Sequence, residues 1–213
     1  MDDAFKVAND IFELQTRHLD LTGWRRGDAE KWAAINEDSK AREFISGSFD
    51  SNHALDEISM FQGDLINHGF GLWAVRVRYG LRDHGEVVLR PGDLIGFAGV
   101  TAAPLPEGET LLYAGKPIQW QLSWCLDREV WGMGLATEAA LKVRDYMFGV
   151  IRLPVIAACA PAVHGASLRV MEKIGLKDAG TYEEKMMPEE MRETVVRAMS
   201  YEEWLAHIQH ALA

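Results

Sequence analysis

Hydrophobic and polar residues alternate most regularly along residues 118–126. Every second residue is apolar there, which places the apolar side chains on one face of a β-strand. These residues are Ile118, Trp120, Leu122, Trp124 and Leu126. Residues 155–160, VIAACA, are apolar throughout, as expected for a strand that is buried on both faces. The two patterns together predict the centre of a β-sheet.

Shorter apolar runs bounded by turn residues predict the other strands. These strands are expected over 12–21, 70–78, 93–102, 176–184 and 193–200, with 70–78 and 93–102 forming an antiparallel pair. The stretch 103–117 contains proline and glycine and is predicted to be a loop. Its length suggests that it borders a functional site.

Apolar residues recur at helical spacing between the strands. The predicted helices span 28–38, 52–67, 135–150, 167–175 and 201–213. Asp28 is expected to cap the first helix by accepting hydrogen bonds from first-turn amides, and Gly175 is expected to end the fourth. The third is expected to bury one face, which consists of Leu135, Ala139, Val143, Met147 and Val150. No internal repeat or low-complexity tract appears, so the pattern predicts one α/β domain over residues 1–213.

Charge and cysteine content narrow the class of protein. A net charge of −10 argues against binding of nucleic acid by the whole surface. The charge suits a cationic substrate such as an amine, although in most acidic proteins the negative charge only serves solubility.

Cys125 and Cys159 lie in apolar strands and are expected to be reduced and buried. No export signal is visible and no apolar run approaches the roughly 20 residues of a membrane span, so a cytoplasmic protein is predicted.

Two glycines and an alanine precede the third predicted helix, in the sequence Trp131-Gly132-Met133-Gly134-Leu135-Ala136-Thr137. A strand, a glycine turn and a helix leave several first-turn amides unpaired, and such amides bind phosphate. Tight packing of the helix on the sheet is the alternative explanation of the small residues. The third glycine of a dinucleotide-binding loop and the lysine of a P-loop are both missing.

The order of these segments resembles the GNAT superfamily, the Gcn5-related N-acetyltransferases, and in particular its branch of RimJ/RimL type. Four stretches carry the resemblance: TRHLDLTGW with DA at 16–29, IGFAGV at 95–100, LDREVWGMGLATEA at 126–139 and SLRVMEKIG at 167–175. The resemblance implies a mixed sheet of about seven strands that splays between its fourth and fifth strands, flanked by helices.

The resemblance also implies acetyl transfer from acetyl-CoA to a primary amine by direct attack. The pantetheine arm would bind the main chain near Cys125 and Leu126. The pyrophosphate would lie on the amides from Gly132 through Thr137, beside Trp131. His164 stands where the family usually has an asparagine; it would donate to the pantetheine or serve as a turn or cap residue. No metal is implied, and His207 and His210 lack further ligands.

Proton transfer is where the sequence departs from the family. Gln121 stands where a glutamate base is common, and an amide does not accept a proton at neutral pH. The remaining base candidates are Asp127, Glu129, Glu138 and His164, of which the first two also suit a turn.

Two hydroxyl groups are candidates for the proton donor to the departing thiolate. Ser167 occupies the donor position of some RimL-like members, with a helix N-cap as the alternative. Tyr182 is the second donor candidate, with a packed strand aromatic as its alternative.

The sequence therefore predicts an N-acetyltransferase that acts on a protein N-terminus or a small amine. A module that binds acyl-CoA or a protein partner without turnover is the alternative, and a homodimer is left open. Trp24 and Trp32 are core residues or line the acceptor cleft, which the loop over 103–117 is expected to shape. Membranes and nucleic acids are not expected partners.

Overall fold

The computed structural model describes residues 13–44, 50–83, 86–105 and 110–211. These residues pack as two compact units. The first comprises the described part of Met1–Val100 and Ser123–Lys142, and the second comprises that of Thr101–Leu122 and Val143–Ala213.

The main strands and helices follow one another in the order that the sequence pattern predicts. The strands are β1 (Leu14–Gln15), β2 (Leu19–Thr22), β3 (Leu72–Val77), β4 (Leu81–Asp83), β5 (Glu86–Leu89), β6 (Leu94–Ala102), β7 (Leu112–Tyr113), β8 (Lys116–Pro117), β9 (Trp120–Leu126), β10 (Val155–Pro161), β11 (Lys177–Glu183) and β12 (Glu193–Ser200). The helices are α1 (Asp28–Glu37), α2 (Ser39–Arg42), α3 (Ala54–His68), α4 (Leu135–Tyr146), α5 (Gly165–Lys173) and α6 (Tyr201–Ala211).

Eight strands form a mixed sheet in the order β1-β2-β3-β6-β9-β10-β12-β11. This confirms the predicted fold class, and β10 lies between two neighbours as its apolar sequence requires. The pairing of β10 with β12 is antiparallel and runs along the whole of β10. The pairing of β9 with β10 is parallel and consists of one register pair, Gln121 with Ala157. So short a ladder agrees with a sheet that opens between its predicted fourth and fifth strands.

The predicted first strand is wrong in one respect, because a tight hairpin interrupts it. β1 and β2 are antiparallel, with Leu14 opposite Leu21. The Thr16 hydroxyl closes the turn by accepting from the Leu19 N–H at 2.9 Å, and the Thr16 N–H donates to the Leu19 carbonyl at 2.9 Å. Local hydrogen bonds of this kind allow threonine to end a strand. Residue 12 of the prediction lies outside the described residues.

The predicted cap at Asp28 is also wrong. Gly27 is the N-cap of α1 and Asp28 is the first helical residue. The Asp28 carboxylate instead accepts from the Arg25 N–H at 2.7 Å and from Arg76 Nη2 at 2.6 Å. Asp28 and Arg76 are both buried, so β3 and the start of α1 share a buried ion pair.

The predicted buried face of the third helix fails at its last residue. Val150 is 59% exposed, whereas Leu135, Ala139, Val143 and Met147 are buried. Val150 lies within a π-helical turn at Met147–Ile151, whose wider repeat takes it off the inner face.

The stretch 103–117 is not a loop throughout, because β7 and β8, with two residues each, pair as an antiparallel hairpin within it. Residues 106–109 lie outside the described residues. The hairpin is held to α6, since the Tyr113 hydroxyl donates to Glu203 Oε1 at 3.1 Å and Lys116 Nζ donates to Glu202 Oε1 at 2.7 Å.

The buried ion pair yields a stability prediction. Arg76→Met leaves the Asp28 charge buried without its partner, so the free energy of unfolding should fall by about 3–5 kcal/mol. The double variant Asp28→Asn with Arg76→Met carries no buried charge and should recover most of that loss. Urea denaturation measures both, and a double variant as unstable as Arg76→Met would contradict the assignment.

Candidate functional site

The glycine turn before α4 has an open surface. Gly132 and Gly134 have φ angles of 78° and 81°, in the left-handed region that favours glycine. A Cβ atom added at either residue would meet no other atom within 4 Å. Tight packing therefore does not explain these glycines. The backbone conformation requires them, and the space above them is free for a ligand.

The backbone of this turn offers hydrogen-bond donors. The Glu138 N–H makes the first bond of α4, to the Gly134 carbonyl at 3.0 Å. The preceding amides therefore lack intrahelical acceptors, and the positive end of the helix dipole lies beside them. Residues 131–134 are exposed. This arrangement fits a phosphate or diphosphate group.

A tryptophan ties the turn to the end of β9. Trp131 Nε1 donates to the Leu126 carbonyl at 2.8 Å, although the residue is 50% exposed. Cys125, the other predicted main-chain partner of pantetheine, is buried. Nothing in the residue spacing indicates this indole hydrogen bond.

Asp127 is held as a turn residue. Its side chain accepts from the Glu129 N–H at 3.1 Å and from Lys31 Nζ at 2.5 Å. The first bond caps a short 3₁₀ turn at Arg128–Val130, and the second joins that turn to α1. These contacts are those of the turn alternative rather than of a free base.

Glu138 binds the hairpin between β1 and β2. Glu138 Oε1 accepts from the His18 N–H at 2.7 Å, and Glu138 Oε2 lies 2.8 Å from His18 Nδ1. Burial raises the pKa of Glu138, but hydrogen bonds from Thr16 and His18 outweigh it, and the pKa lies below its ordinary value. A carboxylate with a lowered pKa is a weaker base. The predicted continuous strand over 12–21 did not indicate this contact, because Thr16 and His18 lie in the turn between β1 and β2.

The lowered pKa of Glu138 predicts a pH-dependent contribution to stability. A depressed folded-state pKa stabilises the fold above the unfolded-state value and stops doing so as pH falls through the folded-state value. The difference in unfolding free energy between wild type and Glu138→Gln should therefore be largest near pH 6 and shrink as the pH falls below the ordinary value of 4.5. Urea titrations from about pH 6 to pH 3 test this sign. A difference that does not change with pH would contradict it.

In the second unit, Ser167 lies beside His164. Ser167 is the third residue of α5 and is buried, and its Oγ is 3.5 Å from His164 Nε2. The N-cap alternative for Ser167 is wrong, because α5 begins two residues earlier and His164 holds the cap position. The His164 side chain makes no capping hydrogen bond.

At the start of β9, Gln121 Nε2 donates to Thr101 Oγ1 at 3.4 Å.

Tyr182 lies on β11 and contacts different residues. Burial, Cys159 and the charge of Glu184 raise the pKa of Tyr182, which a hydrogen bond with Thr194 partly offsets. Burial raises the pKa of Cys159 to about 12, and a hydrogen bond from Tyr182 lowers it in part. Tyr182 also packs against an apolar cluster, Ile118, Val155, Ala157, Val196 and Ala198. These contacts are those of the strand-aromatic alternative, and the hydroxyl remains protonated at neutral pH.

Trp24 and Trp32 belong to the core of the first unit. Each is 2% exposed, and their ring centroids lie 5.6 Å apart. Phe61 packs against both rings. The expectation that they line an acceptor cleft is therefore wrong.

The part of the chain that the structure describes contains no group of three or more His, Cys, Asp or Glu residues that could hold a metal ion. Within the same residues, no helix has the length and apolar character needed to cross a membrane. Cys125 and Cys159 are free thiols.

Comparison with known proteins identifies the family. Residues 18–177 match the family model for the acetyltransferase (GNAT) domain. The chain belongs to the GNAT acetyltransferase family. Acetyl transfer is the chemistry of this family, and acetyl-CoA is its usual donor. A Bacillus subtilis relative, the uncharacterized protein YkkB, is 24% identical over 151 residues, which are 71% of this chain and 76% of the relative.

Solved structures share the fold at low identity. An acetyltransferase of the GNAT family from Bacillus anthracis superposes with a TM-score of 0.65 at 20% identity, covering 90% of this chain and 100% of that chain. RimL, a ribosomal L7/L12 alpha-N-protein acetyltransferase solved in complex with coenzyme A, superposes with a TM-score of 0.65 at 8% identity, covering 89% of this chain and 98% of that chain.

Proposed function

We propose that this protein is an N-acetyltransferase that transfers the acetyl group of acetyl-CoA to a primary amine, either a protein N-terminus or a small molecule. The exposed turn at Gly132 and Gly134 carries the proposal, because its free amides and open surface suit the pyrophosphate of CoA. The RimL neighbour is an alpha-N-protein acetyltransferase, which supports a protein N-terminus as one acceptor class. We further propose a single-domain cytoplasmic enzyme that uses neither a metal nor a membrane.

The donor would bind chiefly through the main chain. The amides from Gly132 through Thr137 would hold the pyrophosphate, and the main chain at Cys125 and Leu126 would hold the pantetheine. The Leu126 carbonyl already accepts from Trp131 Nε1. A carbonyl oxygen has two lone pairs, so a pantetheine N–H would use the second.

Chemistry would proceed by direct attack of the neutral amine nitrogen on the acetyl carbonyl carbon. The new C–N bond replaces the C–S bond, and the departing thiolate takes the hydroxyl proton of Ser167. His164, whose Nε2 lies 3.5 Å from Ser167 Oγ, would return a proton from solvent to that hydroxyl. The ammonium proton would leave through water, because Gln121 is not a base and the Asp127 and Glu138 carboxylates are engaged.

Gln121 favours a second candidate function, a module that binds acyl-CoA without turnover. Both functions require that acetyl-CoA raise the melting temperature. Incubation with saturating acetyl-CoA and a panel of amines and peptide N-termini separates them, with free thiol as the readout. An enzyme releases CoA with at least one acceptor, and a binding module is stabilised but releases none.

Ala136→Glu tests the donor site without strain. A carboxylate in the first turn of α4 interacts favourably with the helix dipole but repels a bound pyrophosphate. We expect the Kd for acetyl-CoA to rise at least ~10-fold, or about 1.4 kcal/mol, by calorimetry. A side chain at Gly134 is a poorer test, because its φ of 81° strains any other residue.

Ala136→Gln is the matched control, because it adds the same bulk without charge. It should weaken acetyl-CoA binding far less than Ala136→Glu, and neither variant should lower the melting temperature. Equal affinities of the Glu and Gln variants would show that no anion lies on this turn.

The thiolate donor is tested by Ser167→Ala. Loss of a general acid should lower kcat by roughly 10²–10⁴-fold while the Kd for acetyl-CoA stays near the wild-type value. Tyr182→Phe removes the other candidate hydroxyl and keeps the ring that packs in the apolar cluster. A slow Tyr182→Phe variant beside a normal Ser167→Ala variant would reverse the two roles.

A further inference from the structure

Trp131 is held in place from two sides at the entrance of the glycine turn. Its backbone N–H donates to the Arg128 carbonyl at 3.1 Å, and its indole N–H donates to the Leu126 carbonyl at 2.8 Å. The second bond links the last residue of β9 directly to the residue before Gly132. The indole hydrogen bond therefore bridges the two ends of the segment that contains the 3₁₀ turn at Arg128–Val130.

Hydrophobic burial does not explain the orientation of this side chain. Half of Trp131 is exposed, whereas Trp24 and Trp32 in the same unit are buried. A half-buried ring gains less from burial than a core tryptophan, so the directed hydrogen bond contributes more to fixing its orientation. That bond uses the indole N–H, the single polar group of the side chain.

The turn that follows needs such a restraint. Glycine loses more conformational freedom on ordering than any other residue, and two of the three residues between Trp131 and α4 are glycines. A loop that is ordered before its ligand arrives does not lose that entropy on binding. The Glu138 contact with His18 holds the other end of the turn, one helical turn into α4.

We infer that Trp131 is a positioning residue for the donor pyrophosphate, acting through its indole N–H on the Leu126 carbonyl. The inference rests on the proposed use of this turn for acetyl-CoA. It assigns to Trp131 neither a direct ligand contact nor a role in acetyl transfer. Loss of the N–H alone should loosen the turn and weaken phosphate recognition.

The test compares two changes at residue 131 with one elsewhere. Trp131→Phe removes the indole N–H, and incorporation of benzothienylalanine at 131 replaces that N–H with sulfur at nearly constant shape. Trp204→Phe is the matched control, since it deletes an indole N–H that donates to Asp145 Oδ1 at 2.9 Å in the second unit. Calorimetry gives the Kd for acetyl-CoA, and turnover assays give kcat/KM with acetyl-CoA and with S-acetylpantetheine, which lacks the phosphates.

We expect both changes at 131 to raise the Kd for acetyl-CoA by about fivefold, the order of one hydrogen bond. The kcat/KM with S-acetylpantetheine should stay at the wild-type level, because that donor does not use the turn. The melting temperature should change little, since the side chain is half-exposed. Trp204→Phe should lower the melting temperature and leave the Kd unchanged.

Two results would overturn the inference while wild type still binds acetyl-CoA. One is an unchanged Kd for benzothienylalanine at 131. The other is an equal loss with acetyl-CoA and S-acetylpantetheine, which would place the effect on the pantetheine arm. A wild-type protein that does not bind acetyl-CoA at all would overturn the proposed function, and the inference with it.

Discussion

The amides ahead of α4 must remain unpaired within the protein if they are to bind an anion. Backbone donors without partners are tolerated only where water or a ligand reaches them, which explains why residues 131–134 are exposed. A segment that neither packs nor pairs cannot hold its own shape. Its conformation depends on neighbours, and in the first unit these are the Leu126 carbonyl and the hairpin residue His18.

The parts of the site that sequence predicted are those encoded by adjacent residues. The glycine turn, the alternation of β9 and the apolar β10 are local patterns, and each lies where its spacing indicated. The contacts of the charged and polar side chains are not local in the sequence. His18 meets Glu138 and Asp28 meets Arg76 across long separations in the chain, and no spacing rule marks such pairs. Asp28 is an example: its position near a helix start predicts a cap, whereas its partner Arg76 lies on β3.

A helix boundary accounts for the error at Ser167 in the second unit. The serine of SLRVMEKIG suits an N-cap, but α5 begins two residues earlier and leaves Ser167 inside the first turn. The shift changes its chemistry, because a cap hydroxyl is occupied by a backbone amide, whereas Ser167 Oγ has His164 Nε2 as its neighbour. Tyr182 lies on a strand as predicted, but residue spacing does not indicate its hydrogen bonds to Cys159 on β10 and Thr194 on β12.

The net charge of −10 and a site for an anionic donor are compatible because electrostatics near the turn is local. Asp127 is paired with Lys31, and Glu138 accepts from His18 and Thr16, so each of these two carboxylates has a cationic or hydrogen-bonding partner. Charges further away are screened over about 8–10 Å at physiological ionic strength. The backbone donors act at contact distance, where that screening is weak. The acidic surface therefore does not cancel the helix dipole that faces the turn at short range.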